Sequence, residues 1–232
     1  MSASVLKIVA IIAMTFDHIG ALFFPMGAAF YPYNIILRTV GRLTMPIMCF
    51  FIGEGYRKTS NKGKYFFRLL IFALISEIPF QLVFHSKFNV MFTLLLGFCA
   101  LRLSDIVNEK LKTDKFRMLV YLSAALVSIL MGSDWNYIGI FLIIAFYHGA
   151  ESPAKKFLYP LGVYVFVLVS AYLEALFKTG FSSFYINWIQ FAGCFSIPIL
   201  MTYNGKRGPK LKYLFYLYYP LHLIVLWAIK SF

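Results

Sequence analysis

Acidic residues are scarce in this chain: nine Asp and Glu stand against 22 Lys and Arg among 232 residues. Charge of either sign is rare too, at 13% of residues, about half the fraction usual in soluble domains. That shortage excludes a water-facing globular domain of any size. Cysteine is nearly absent, and Cys49, Cys99 and Cys194 fall in separate apolar stretches. Three cysteines so placed make no disulfide framework and read as small core residues. Four histidines scattered without paired spacing give no zinc site. The glycine-rich phosphate and dinucleotide motifs are missing, and so is HExxH. No internal repeat, low-complexity tract or linker divides the chain. Residues 1–232 therefore read as a single transmembrane domain, without the repeated halves of many transporters.

What fills the chain instead is apolar: 61% of residues are hydrophobic and 19% aromatic. Nine apolar stretches follow in order, at 5–24, 35–53, 69–84, 88–106, 118–131, 138–149, 157–177, 186–201 and 213–229. Most approach the roughly 17–25 residues a helix needs to cross a bilayer; the sixth is too short to cross unaided. The first stretch, interrupted by Asp17 and His18 and followed by no small-residue cleavage site, reads as a retained helix rather than a signal peptide. Basic residues cluster in alternate short loops: Arg57 to Arg68, Lys110 to Arg117, Lys155 with Lys156, and Lys206 to Lys212. The intervening loops are poor in Lys and Arg. The positive-inside rule then predicts an all-α, polytopic membrane bundle of about nine spans, with the N-terminus cytoplasmic and the C-terminus outside. The same rule accounts for the net charge of +13; the basic loops carry no base-reading aromatics, so no nucleic-acid partner is expected.

A chain this greasy that keeps ionisable groups at membrane depth is more than an anchor, since each costs roughly 2.5–3.5 kcal/mol near the centre of a spanning helix. Asp17 and His18 lie in the first stretch, Arg38 and Arg42 in the second, Glu77 in the third and His222 in the last. At about 1.5 Å per residue, His18 is some 16–18 Å from the cytoplasmic end, and Glu77 and His222 about 12–14 Å. Arg38 and Arg42 lie about 4–11 Å below the outer face. These depths permit one shared layer. Arg38 and Arg42, four residues apart, share a helix face, and two cations there demand anionic partners, Asp17 first and Glu77 second. Asp17 and His18 diverge by about 100°, so Asp17 is expected to neutralise an arginine while His18 faces a cavity. The bland alternative is an ion-pair network that only locks packing.

Pro46, Pro79 and Pro220 are expected to kink their helices beside Arg42, Glu77 and His222, because each removes a backbone donor. Glu54 closes the second stretch and is placed to pair with Arg57 or Lys58. His148 reads as interfacial, His85 as solvated, and Asp134 as a solvated loop residue within reach of an external substrate.

At these residues the chain resembles the TraX family. The likeness rests on Met14-Thr-Phe-Asp-His-Ile-Gly20, on Gly41-Arg-Leu-Thr-Met-Pro46, and on Phe51-Ile-Gly-Glu-Gly-Tyr-Arg57. It continues through Arg68-Leu-Leu-Ile-Phe-Ala-Leu-Ile-Ser-Glu-Ile-Pro79, Phe92-Thr-Leu-Leu-Leu-Gly97 and Tyr218-Tyr-Pro-Leu-His222. The family is named for a conjugation-associated membrane protein that acetylates pilin. There is also a thematic likeness to membrane acyltransferases that take acetyl from cytoplasmic acetyl-CoA.

The resemblance implies a multi-pass acetyltransferase of the bacterial inner membrane, using acetyl-CoA as donor and no metal. His18 would be the general base or a transient acyl carrier, since a neutral imidazole suits proton transfer near pH 7. Asp17 would hold an arginine, and Arg38 and Arg42 would bind an anionic part of the donor or polarise the thioester carbonyl. Glu77, His222 and Glu54 would line the cavity. The acceptor is an amine or hydroxyl on a pilin-like protein, a cell-wall polymer or a glycolipid. A transporter or proton-coupled channel using the same Asp, His and Arg is the alternative, and a non-catalytic assembly factor the third reading.

Overall fold

The computed structural model describes residues 1–24, 31–85, 88–174, 176–177, 189–209 and 212–231. Two of the sequence boundaries, the loop at 25–34 and the start of the eighth stretch, fall partly outside them. The described residues form helices α1 (Ala3–Phe23), α2 (Tyr31–Gly41), α3 (Thr44–Lys58), α4 (Lys62–Phe84), α5 (Val90–Leu111), α6 (Arg117–Met131), α7 (Asn136–Gly149) and α8 (Pro153–Glu174). Then come α9 (Ile189–Met201), which tightens to a 3-10 turn at Ala192–Phe195, and α10 (Lys212–Ser231). Among them no strand occurs, only an isolated bridge between Phe88 and Ser133. Every apolar stretch thus carries helix, and the polar loops supply the caps. Asn61 Oδ1 accepts from Lys64 N at 2.8 Å to start α4, and Asn89 Oδ1 from Met91 N at 2.9 Å to start α5. Gly132 ends α6 with φ +66°, a left-handed backbone that glycine adopts without Cβ strain.

Six helical segments are long and apolar enough to cross a membrane: α1, the α2–α3 unit, α4, α5, α8 and α10. The outer surface is correspondingly greasy, with Ile78 and Leu130 exposed by 70% and 73%. The other three, α6, α7 and α9, are shorter. At 14 residues, α7 is about 21 Å long, less than a hydrocarbon core of about 30 Å. It is packed among α3, α5, α6 and α8, and Ile140, Leu142, Ile143 and Phe146 are essentially inaccessible. A helix sheathed in protein has no need of full lipid-spanning length, and its first turn, at Trp135–Asn136, can start inside the bundle.

One expectation about irregular backbone changes. The second stretch is not one kinked helix but two, broken at Arg42–Leu43, and Pro46 sits in the first turn of α3, where its missing N–H has no helical partner to lose. Pro79 and Pro220 stay inside α4 and α10 without ending them. The helices also outrun the hydropathy windows: α4 starts at Lys62 rather than 69, and α5 runs to Leu111 rather than 106. Their basic ends gather at the end of the bundle that holds the N-terminus. There Ala3 N donates to Lys206 O at 2.9 Å, Ser4 N to Arg207 O at 3.1 Å, and Lys58 Nζ to Gly205 O at 3.2 Å.

Candidate functional site

Asp17, in the second-last turn of α1, joins both arginines of the second stretch. Its Oδ2 accepts from Arg38 Nη1 at 3.0 Å and its Oδ1 from Arg42 Nη2 at 2.5 Å. The arginines point the same way because Arg38 is in the last turn of α2 and Arg42, four residues on, still donates its N–H to Arg38 O at 3.1 Å. The close approach needs Gly41: a Cβ there would lie 2.2 Å from Asp17 Cβ. Arg42 is only 4% exposed, and each of its nitrogens is committed. Nε donates to Arg38 O at 3.3 Å, Nη1 to Gln190 Oε1 at 3.0 Å, and Nη2 to Asp17. Its guanidinium also lies over Trp135, 5.2 Å from the ring centroid. Arg38, 30% exposed, keeps donors uncommitted.

The second anion of this cluster is Asp134, not Glu77. Asp134 precedes α7 and lies within electrostatic reach of Arg38, Arg42 and Asp17. It is exposed to the cavity that Asp17, His18 and Trp135 also line. Burial pushes its carboxyl above the ordinary range, and Arg42 and Arg38 pull it back in part. Glu77 faces elsewhere. Its Oε2 accepts from Asn89 N at 3.0 Å and Asn89 Nδ2 at 2.7 Å, and its Oε1 from Gln81 Nε2 at 2.8 Å. It therefore pins α4 to the start of α5. Similar depth put it in the arginine layer on sequence grounds; its azimuth on α4 turns it away.

His18 is buried on the other flank of α1 and meets His222 of α10, Nδ1 to Nε2 at 2.7 Å, with the rings parallel to within 9°. His222 Nδ1 is 2.9 Å from the carbonyl of Tyr218. A carbonyl only accepts, so His222 carries its proton on Nδ1, and its Nε2 is the acceptor for His18 Nδ1–H. For two neutral rings this order leaves His18 Nε2 with the unshared pair. Tyr218 supports the arrangement: its ring is parallel to that of His222 within 8°, and its hydroxyl meets Thr15 Oγ1 at 2.7 Å. Thr15 donates to Ile11 O, so Tyr218 is the donor to Thr15.

A cavity of about 470 Å³ passes between these groups. Asp17, His18, Asp134 and Trp135 line one end; Lys7, Glu54, Lys58, Arg68 and Arg207 line the other, beside the N-terminus. Glu54 pairs with both Lys58, at 2.8 Å, and Arg57. The cavity connects Glu54 to His18 without bringing them into contact. Arg38 and Arg42 stand behind Asp17 rather than in its wall. His148 bonds Tyr121 OH at 2.9 Å, away from this cavity, and His85 caps α4. Among the described residues no group of three His, Cys, Asp or Glu is placed to hold a metal ion, and the three cysteines are free.

Lys7, Trp135, Gln190, Thr15 and Tyr218 were not singled out as site residues on sequence grounds, and Asp134 was read as a solvated loop residue within reach of an external substrate. Lys7 was legible as a cation in the first turns of an apolar helix, and Gly41 as a glycine beside an intramembrane arginine. Gln190 carried no signal.

Compared with known proteins, residues 2–230 match the family described as TraX protein. A probable fimbrial assembly protein, FimC of serogroup H1, from Dichelobacter nodosus is 33% identical over 249 aligned positions, covering 100% of this chain and 96% of its own length. An uncharacterized protein of Rickettsia prowazekii (strain Madrid E) is 35% identical over 96 residues, 40% of this chain and 34% of its own. No solved structure matches.

Proposed function

This chain belongs to the TraX family, and from that premise we propose that it is a membrane-embedded acetyltransferase. It moves acetyl from cytoplasmic acetyl-CoA to an amine or hydroxyl at or across the inner membrane. The bundle crosses the membrane about nine times, with the N-terminus and the basic loops cytoplasmic. The observation that carries the reading is the continuous cavity from the basic end of the bundle to His18, whose Nε2 the His222 contact leaves unprotonated. Its size suits a small-molecule ligand, for which pockets run about 300–1,000 Å³.

In the proposed reaction His18 Nε2 takes the proton of the acceptor amine or hydroxyl as that group attacks the thioester carbonyl. The tetrahedral intermediate collapses with cleavage of the C–S bond, and the imidazolium returns the proton to the departing thiolate. The products are the acetylated acceptor and free CoA thiol. Arg38 and Arg42 stand behind Asp17 and hold it and α2 in register, so their part is to fix the wall beside His18. The acceptor class follows from kinship: the Dichelobacter relative is named as a fimbrial assembly protein, so a pilus or fimbrial subunit stands first, ahead of a cell-wall polymer or glycolipid.

Purified protein in nanodiscs, incubated with radiolabelled acetyl-CoA, tests this. Thioester hydrolysis or label transfer by the wild type, absent in a folded His18→Ala variant, is the expected result. A folded wild type that neither binds nor consumes acetyl-CoA removes the donor, and solute uptake into proteoliposomes then tests the transporter alternative.

A further inference from the structure

Charge is distributed unevenly along the cavity. At the His18 end two carboxylates, Asp17 and Asp134, face two guanidiniums, Arg38 and Arg42, so that layer is balanced without a ligand. At the other end four cations, Lys7, Lys58, Arg68 and Arg207, line the wall beside a single carboxylate. That carboxylate, Glu54, is shared between Lys58 and Arg57. All nine acids of the chain are among the described residues, and none forms an ion pair with Lys7, Arg68 or Arg207. The mouth therefore holds about three positive charges in excess.

Aromatic rings, not carboxylates, hold these cations in place. Lys7 Nζ sits 4.9 Å from the Phe51 centroid and 5.5 Å from Phe215. The Arg68 guanidinium lies 4.8 Å from Tyr65 and 5.4 Å from Tyr216, and its Nε donates to Tyr216 OH at 2.9 Å. Ring faces fix a cation's position while leaving its charge unneutralised. The wall that carries Arg207 is fixed as well: Ser4 Oγ donates to Arg207 O at 2.9 Å and to Pro209 O at 2.7 Å. Lys7 and Arg68 are half-buried, and gathering unpaired cations in such a place is unfavourable unless an anion offsets their charge. Guanidinium beside ammonium is the donor set suited to phosphate oxygens.

We propose that this mouth is a phosphate-binding site, with Lys7, Arg68 and Arg207 taking a ligand that carries two or more phosphate charges and Lys58 at its rim. The charge surplus stands whatever the His18 end does; only the identity of the ligand as the nucleotide part of the acetyl donor rests on the acetyltransferase reading. The same chemistry is offered by the headgroup of an anionic phospholipid.

The test measures binding of free CoA, which carries phosphates but no acetyl group, and of adenosine 3′,5′-bisphosphate. The protein is full-length, in nanodiscs of purely zwitterionic lipid, and bound phospholipid is assayed after purification. Loss of a charged hydrogen bond costs about 1.5–3 kcal/mol, so Lys7→Gln and Arg68→Gln are each expected to weaken CoA binding about tenfold to a hundredfold. His18→Ala, at the far end, is expected to bind as the wild type does. Lys206→Gln, on the same basic loop but outside the cavity, controls for general charge. Nucleotide binding that fails in Lys7→Gln and Arg68→Gln but survives in His18→Ala supports the site even if no turnover is ever seen. If nucleotides do not bind but anionic phospholipid copurifies with the wild type and is lost from both variants, the phosphate site stands with a lipid source, and the donor reading falls. Binding unchanged in both folded variants, or weakened equally by Lys206→Gln, overturns the proposal.

Discussion

At the scale of single residues the site divides into two layers with different jobs. Asp17 is the counter-ion of the buried Arg42 and the half-buried Arg38, and removing the partner of a buried charge leaves it uncompensated at about 3–5 kcal/mol. Asp17→Asn is therefore expected to lower thermal stability in detergent sharply, and Arg42→Ala more than Arg38→Ala, because Arg42 is 4% exposed and Arg38 30%. His222 orders the protons on His18 and need touch no substrate. His222→Phe removes the acceptor for His18 Nδ1–H, so both tautomers become available; turnover is expected to fall about 10²-fold with little change in donor KM. His222→Gln, whose amide oxygen can accept the same bond, is expected to recover part of that loss. Equal loss of folded protein in both variants would mark His222 as structural only. Asp134 gives a pH signature. Its folded carboxyl is raised by burial, so the folded state holds its proton longer than the unfolded one. Its contribution to stability is present below the ordinary carboxyl pKa of about 3.9 and is lost as pH rises through the raised folded value. Asp134→Asn is expected to remove that decline from the pH profile of thermal unfolding.

At the scale of elements, the meeting of α1 with α2 decides the geometry. Gly41 allows the contact because a Cβ would overlap Asp17; Gly41→Ala is expected to cost about 1–3 kcal/mol, as overpacking does, with a matching loss of turnover. The joint between α4 and α5 is a separate matter. Glu77 bonds Asn89 and Gln81 there, so Glu77→Ala is expected to cost about 1–3 kcal/mol for the donors left unpaired and to leave acetyl-CoA affinity unaltered. A changed affinity would return Glu77 to the cavity, where its depth alone had put it. Helix depth was readable from the chain because the rise per residue is fixed. Azimuth was not, because it depends on how each helix is rotated against its neighbours.

At the scale of the whole molecule, the basic helix ends gather at one face, tied by Ala3, Ser4 and Lys58 to the segment around Lys206 and Arg207. The proposed topology puts that face in the cytoplasm. Alkaline phosphatase fused after Ser231 is then expected to be active, and a fluorescent protein inserted in the loop near Lys112 to fluoresce. The reverse pattern would invert the bundle and put the phosphate site on the wrong side for a cytoplasmic donor. The short α7 fits this picture because it is enclosed by α3, α5, α6 and α8. The residues just before it, Asp134 and Trp135, lie beside the arginine layer.

The sequence by itself determined that this is a helical membrane protein, roughly where each helix lies, which ends are basic, and that Asp17 answers the arginines. Those follow from composition, from a fixed helical rise and from the cost of an unpaired charge in hydrocarbon, all of which are local. Only the tertiary structure decided that both arginines share Asp17, that Asp134 rather than Glu77 is the second anion, and that His18 and His222 meet through ring nitrogens. It alone placed Lys7, Arg68 and Arg207 around one mouth. Such facts depend on helix rotation and on contacts between residues up to 204 positions apart, which side-chain packing sets and no periodicity within one helix encodes.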